Sequence, residues 1–150
     1  MMSITHFHLI VNHVALFFIP LGLFFYLISQ DMKTKRIALS LVIIGSLFTF
    51  VASQSGEGAE DQQESQMSYN EQTVEKHEEA SEMAQVLSVL LILTSLSSLF
   101  KLNLMPLRYV TIAVGVLTTL SLAWTAYQGG QIRHGLEFQN SSGSSTQGED

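Results

Sequence analysis

Four windows of this chain carry no Asp, Glu, Lys or Arg: residues 1–30, 37–54, 83–100 and 109–128. The apolar heart of the first is 9–29, so each window offers about 18–21 uninterrupted uncharged residues. At about 1.5 Å of helical rise per residue, that length matches the ~30 Å hydrocarbon thickness of a bilayer. One such window is compatible with a buried soluble helix. Four of them leave too few charges for a soluble shell: only 13% of residues are charged, about half the usual share. The windows predict an all-α, four-transmembrane-helix bundle with helices over about 5–29, 37–54, 71–101 and 106–128. Residues 1–138 form the membrane domain, 55–82 an acidic outer loop, and 139–150 (QNSSGSSTQGED) a disordered tail. No basic residue precedes the first apolar run and no A-x-A site closes it, so that run reads as a retained helix and not a cleaved signal peptide. Pro20 is expected to kink the first helix, Pro106 to sit in the first turn of the fourth, and Gly129-Gly130 to end the fourth.

Lys33, Lys35, Arg36, Lys101 and Arg108 fall in the first and third connections, whereas only Lys76 and Arg133 lie at the opposite end. This five-to-two split places both short connections in the cytoplasm and both termini on the outer, periplasmic side. The expected location is a bacterial inner (cytoplasmic) membrane, multi-pass. The net charge of −6 argues against nucleic acid as a partner, and the lack of cysteine removes thiolate metal sites and c-type haem attachment.

All five histidines gather at the outer end: His6, His8 and His13 at the start of the first helix, His77 before the third, His134 after the fourth. His13 lies about one and a half turns inside the apolar run, with Asn12 beside it. An ionisable residue at that depth is expected to face the bundle interior. In the third helix Glu71, Glu75, Glu78, Glu79 and Glu82 share one arc. His77 points away from it, above Ala80 and Ala84, so His77 is expected to turn toward the other helices. Ala38, Gly45, Thr49, Ala52 and Gly56 in the second helix, and Gly115, Thr119 and Ala126 in the fourth, form stripes of small residues. Such stripes permit close helix packing or leave room for a flat ligand. Trp124 and Tyr127 are placed as an interfacial aromatic belt.

Four stretches together resemble a family of small, uncharacterised bacterial four-helix integral membrane proteins: HFHLIVNHVALFFIP (6–20), SGEGAED (55–61), VEKHEEASEMA (74–84) and AWTAYQGGQIRHG (123–135). The family pattern is HxHxxxNH, then TGExAE, HEEAA and GGQIRH, and the likeness runs from His6 to His134. Ser55 stands where Thr is usual, and Gly135 where close relatives often carry Pro. A related group of four-helix domains occurs fused to c-type cytochromes, which implies redox surroundings. The resemblance marks His8, Asn12, His13, Glu57, Glu60, His77, Glu78 and His134 as positions to follow.

Two chemistries suit these residues. A haem b needs two histidines from different helices, with His13, His77 and His134 as candidates. A Zn or Cu ion needs three or four ligands, for which His6, His8, His13, His77, His134, Glu57, Glu60 and Glu78 are available, Asn12 supporting a ring by hydrogen bonding. Either implies electron transfer or metal binding next to a redox or respiratory membrane complex. The alternative is a non-catalytic membrane subunit docking a periplasmic or respiratory partner through its acidic loop, with homo-oligomers also compatible. No catalytic residue stands out: the chain has no phosphate loop, HExxH motif or nucleophile–base pair, so enzymatic activity is not expected.

Overall fold

The computed structural model describes residues 4–64, 71–101 and 104–144 of the chain, with side chains for 4, 6–56, 72, 74–101 and 104–131. Four helices account for nearly all of them: α1 (Ile4–Ile28), α2 (Met32–Glu64), α3 (Glu71–Phe100) and α4 (Met105–Ser144). No strand occurs among the described residues. Each helix contains a stretch long and apolar enough to cross a membrane: His6–Ile28, Met32–Gly56, Val74–Phe100 and Met105–Gln131. The protein is an all-α, multi-pass membrane protein.

The chain winds around the bundle in order. α1 packs on α2, α2 on α3, α3 on α4, and α4 back on α1, and among the described residues no backbones approach closely across either diagonal. The α1–α2 and α3–α4 pairs are the most intimate and α4–α1 the slightest. Connections explain the pairing, because three or four residues leave antiparallel neighbours no other choice. Asp31 caps α2: Thr34 N donates to its Oδ1 at 2.8 Å, and Ser29 Oγ donates to its Oδ2 at 3.2 Å. These hydrogen bonds, led by the one from the Thr34 backbone, hold the Asp31 carboxyl below the ordinary Asp range. At the same end Arg108 closes the α4–α1 seam. Its Nη2 donates to Leu27 O at 2.9 Å, and its guanidinium lies 5.7 Å from the centre of the Tyr26 ring.

The interior is sorted by size, not by polarity. Inward positions recur at spacings of three and four: Val11, Ala15, Ile19, Gly22 and Tyr26 in α1; Ala38, Val42, Gly45, Thr49 and Ala52 in α2. α3 contributes Ala84, Ser88, Leu91, Ser95 and Ser98, and α4 contributes Thr111, Gly115, Thr118, Leu122 and Thr125. Large side chains such as Phe17, Phe24, Ile37, Leu47, Val86, Leu117 and Leu120 point outward. In lipid there is no penalty for that, and small inward residues let the backbones approach. Most buried hydroxyls fold back on the carbonyl one turn earlier: Ser46 on Val42 O, Thr118 on Val114 O and Thr125 on Ser121 O, at 2.8–3.0 Å. Thr111, which also bonds Leu107 O, meets Ser98 Oγ across the α3–α4 interface at 2.8 Å.

The helices outrun the apolar windows. α2 starts at Met32, not near 37, and continues to Glu64, not 54. Of the outer loop expected over 55–82, residues 55–64 are instead helical as part of α2; 71–82 are helical, as the expected third helix 71–101 has them, and 65–70 lie outside the described residues. The window rule ends a helix where charge begins. Glu, Ala and Gln beyond Gly58 are nevertheless strong helix formers, and no Pro interrupts them. α4 passes through Gly129-Gly130 to Ser144, and no described glycine adopts a positive φ. Each glycine costs a helix only about 1 kcal/mol, less than the helix-forming residues around it return. Of the expected tail 139–150, residues 139–144 prolong α4 and 145–150 lie outside the described residues. α1 is continuous through Pro20.

Candidate functional site

The start of α1, the end of α2, the start of α3 and the later part of α4 lie at one end of the bundle, and the five histidines belong to these segments. His8 belongs to the inward stripe of α1, one turn before Val11 and two before Ala15. It is half-buried and reaches α2, where its Nδ1 lies 2.9 Å from Ala52 O and 3.1 Å from Ser55 Oγ. The Ser55 hydroxyl itself donates to Ala52 O at 3.0 Å. Nδ1–H of His8 is therefore shared between two acceptors. Gly56 lies under this ring: a Cβ there would sit 3.5 Å from Cε1, in ordinary contact.

His77 is the counterpart on the other helix pair. It turns away from Glu75, Glu78, Glu79 and Glu82, which are exposed, and its Nδ1 donates to Thr125 O of α4 at 3.0 Å. The ring rests on Gly129, where a Cβ would meet Cε1 at 3.1 Å and Nδ1 at 3.4 Å. Any side chain at 129 would press on the imidazole, so the residue expected to end α4 instead makes a seat for His77.

A carbonyl oxygen only accepts, so each ring carries its proton on Nδ1 in these bonds. The neutral imidazole then presents Nε2 as a free lone pair. That is the tautomer of a histidine that ligates a metal through Nε2, its orientation fixed by a bond from Nδ1–H to a carbonyl.

The other candidates fall elsewhere. His13, expected to face the interior, is exposed on the lipid side of α1. Its Nδ1 bonds to Leu9 O of its own helix at 2.6 Å, and it borders a shallow apolar groove with Ile10, Val14, Phe17 and Phe18. The depth argument fails because a neutral histidine can satisfy one nitrogen on the carbonyl a turn back, leaving little reason to turn inward. His13 follows Ile10 and Phe17 to the outside, while Asn12 is half-buried. His6 is exposed, as is Glu78. Glu57 and Glu60 lie on helical backbone of α2 and His134 on that of α4, but their side chains are outside those described. Because α4 continues through Gly129-Gly130, the backbone does not fold His134 back over the bundle end. Among the described residues, no three His, Asp or Glu side chains come together as an ion site would require.

Sequence reasoning ranked His8 below His13, although at 100° per residue His8 shares a helix face with Ala15 and Ile19. The missing signal was size: the face carrying Ala15 is the inner one. The seat at Gly129 and the acceptors Ala52 O and Thr125 O leave no trace in side-chain identity. Comparison with known proteins finds no matching family model, curated protein or solved structure.

Proposed function

We propose that this end of the bundle is a two-histidine cofactor site in a membrane electron-transfer protein, with His8 and His77 as ligands of a haem b. The supporting observation is the matched pair of tautomers. Each ring comes from a different helix pair, and each has Nδ1–H committed to a neighbouring helix, which leaves Nε2 as the lone-pair nitrogen of the ring. Two imidazoles suffice for haem, whereas a bare Zn or Cu ion needs a third ligand that the described side chains do not bring near. When bound, haem would supply a one-electron ferric–ferrous couple. The chain's part is to hold two neutral imidazoles, through Ala52 O, Ser55 Oγ and Thr125 O, at the edge of the hydrocarbon layer. The resemblance to domains fused to c-type cytochromes agrees with this role. So does the five-to-two basic split, which sets the histidine end outward in a bacterial inner membrane.

Membrane-extracted protein in mild detergent is expected to show a Soret band. His8→Ala and His77→Ala should each abolish it, while His13→Ala retains it. A colourless wild-type protein, or a band that survives both His8→Ala and His77→Ala, would refute the assignment. One observation favours a second reading, a subunit that docks a redox or respiratory partner: the exposed stripe of Glu75, Glu78, Glu79 and Glu82 beyond the apolar part of α3. Co-purification of a partner that is lost on charge reversal at Glu75 and Glu79, from a colourless protein, would establish that reading instead.

A further inference from the structure

Two hydroxyls break the rule the others follow. Ser88 and Ser95 are on the inward stripe of α3, 2% and 0% exposed. Among the described residues neither Oγ has a hydrogen-bond partner. Ser46, Thr49, Thr111, Thr118 and Thr125 are also buried, and each folds back on the carbonyl four residues earlier. Ser88 and Ser95 have the carbonyls of Ala84 and Leu91 in the same relative position but make no such bond. They are seven residues apart, about 10 Å along the helix, on either side of Leu91, which is fully buried. The buried positions of the two flanking helices include Gly45, Ser46 and Thr49 in α2 and Gly115 and Thr118 in α4, beside the apolar cluster of Ile19, Leu23, Val42, Leu91 and Leu122. An unmatched hydroxyl in hydrocarbon is costly, and nothing about this packing offsets it.

We infer that Ser88 and Ser95 are binding sites for internal water, one molecule held at each hydroxyl against the α2 and α4 stripes. A buried water supplies both a donor and an acceptor and typically makes about three hydrogen bonds. The hydroxyl oxygens of Ser46, Thr49 and Thr118, whose protons go to their own helices, keep lone pairs to offer it. The axis of the bundle is then hydrated at two levels within the membrane, although its outer surface is apolar. This holds whether or not haem occupies the histidine end.

The test uses the full-length protein in lipid nanodiscs. Brief X-ray radiolysis makes hydroxyl radicals from water where it is bound, so a buried side chain is oxidised only if water touches it. Leu91 is expected to take up oxygen, whereas the lipid-facing Leu117 and Leu120 stay unmodified. In the double variant S88A/S95A the labelling of Leu91 should fall by roughly fivefold or more, since the waters lose an anchoring partner. In the second measurement, Ser88→Ala and Ser95→Ala should each lower the midpoint of detergent-induced unfolding. Leu91 as silent as Leu117, or labelling unchanged in the double variant, would overturn the proposal. A raised midpoint in either variant would do so as well, because it marks a dry, unsatisfied hydroxyl. An unchanged midpoint would mean that the serine is bonded to its own helix, which also ends the idea.

Discussion

Replacing Gly22 with alanine is the severest test of the claim that size sorting holds this bundle together. A Cβ at Gly22 would lie 2.7 Å from Val42 Cγ2, 2.8 Å from Ala38 O and 3.0 Å from Val42 N. Carbon atoms in contact rest about 3.5–4.0 Å apart, so the new methyl is about 0.8–1.3 Å too close to Val42. Val42 is fully buried and β-branched, with little rotamer freedom, and the other two atoms are backbone. The clash is relieved only if α2 backs away from α1, which would loosen Gly45 from Ile19 one turn further on. Overpacking of this kind costs about 1–3 kcal/mol. Gly130 supplies the reference, since a Cβ there meets nothing within 4 Å. Gly130→Ala gains the same helical propensity without the clash. The difference in unfolding free energy between the two variants should therefore be about 1–3 kcal/mol, a factor of about 5–150 in the equilibrium. The measurement is an SDS titration in mixed micelles followed by far-UV ellipticity and Trp124 emission. Equal midpoints for Gly22→Ala and Gly130→Ala would refute the close approach of α1 and α2, and with it the packing scheme.

Gly115→Ala should cost less than Gly22→Ala in the same titration, although its Cβ would be as near as 2.5 Å to Leu23, because the atoms it meets are the mobile ends of a leucine side chain. The Ser98–Thr111 bond should give a coupling of about 0.6 kcal/mol, at most about 1.7, in a double-mutant cycle of Ser98→Ala and Thr111→Val; a coupling of zero would place the two hydroxyls apart. The Asp31 cap should be pH-dependent. Its carboxyl is held below the ordinary Asp range in the folded protein, so its contribution is whole above that range and disappears as pH falls through the lowered value. The carboxyl resonance of Asp31 should accordingly titrate below that of a reference Asp peptide, and Asp31→Asn should speed exchange of the Thr34 amide at neutral pH. A normal titration together with unchanged exchange would remove Asp31 as a cap.

The number of helices and their order were legible because charge-free length is a coarse property that the bilayer enforces on every span. Helix ends were less so. Residues 55–64 and 131–144 are polar enough to leave the membrane and helical enough to continue, and hydropathy separates only the first of those two properties. Within the site, His77 was readable because its own helix carries an acidic stripe that fixes which side is wet. α1 has no such stripe, so depth was substituted for direction. Depth favoured His13, which answers its own backbone, over His8, which crosses to α2. The α3 stripe of Ala84, Ser88, Leu91, Ser95 and Ser98 also repeats at four and three. Serine spaced in this way reads as ordinary membrane polarity until burial shows that it is the core.

The unequal seams of the square have a bearing on how the chain is made. Each short connection produces a hairpin whose two helices are already intimate, so α1 and α2 can leave the translocon as a finished pair before α3 is synthesised. That early pair carries Ile19, Leu23 and Val42 on an inner face that later packs against Leu91 and Leu122. What remains is lateral docking of two pre-formed units. Ser53 meets Gln85 at 3.4 Å on one side, and Arg108 finds the last carbonyls of α1 on the other. Arg108 lies near the start of the final helix, so the latch on the first helix arrives with the opening turn of the last, while most of α4 has yet to emerge from the ribosome.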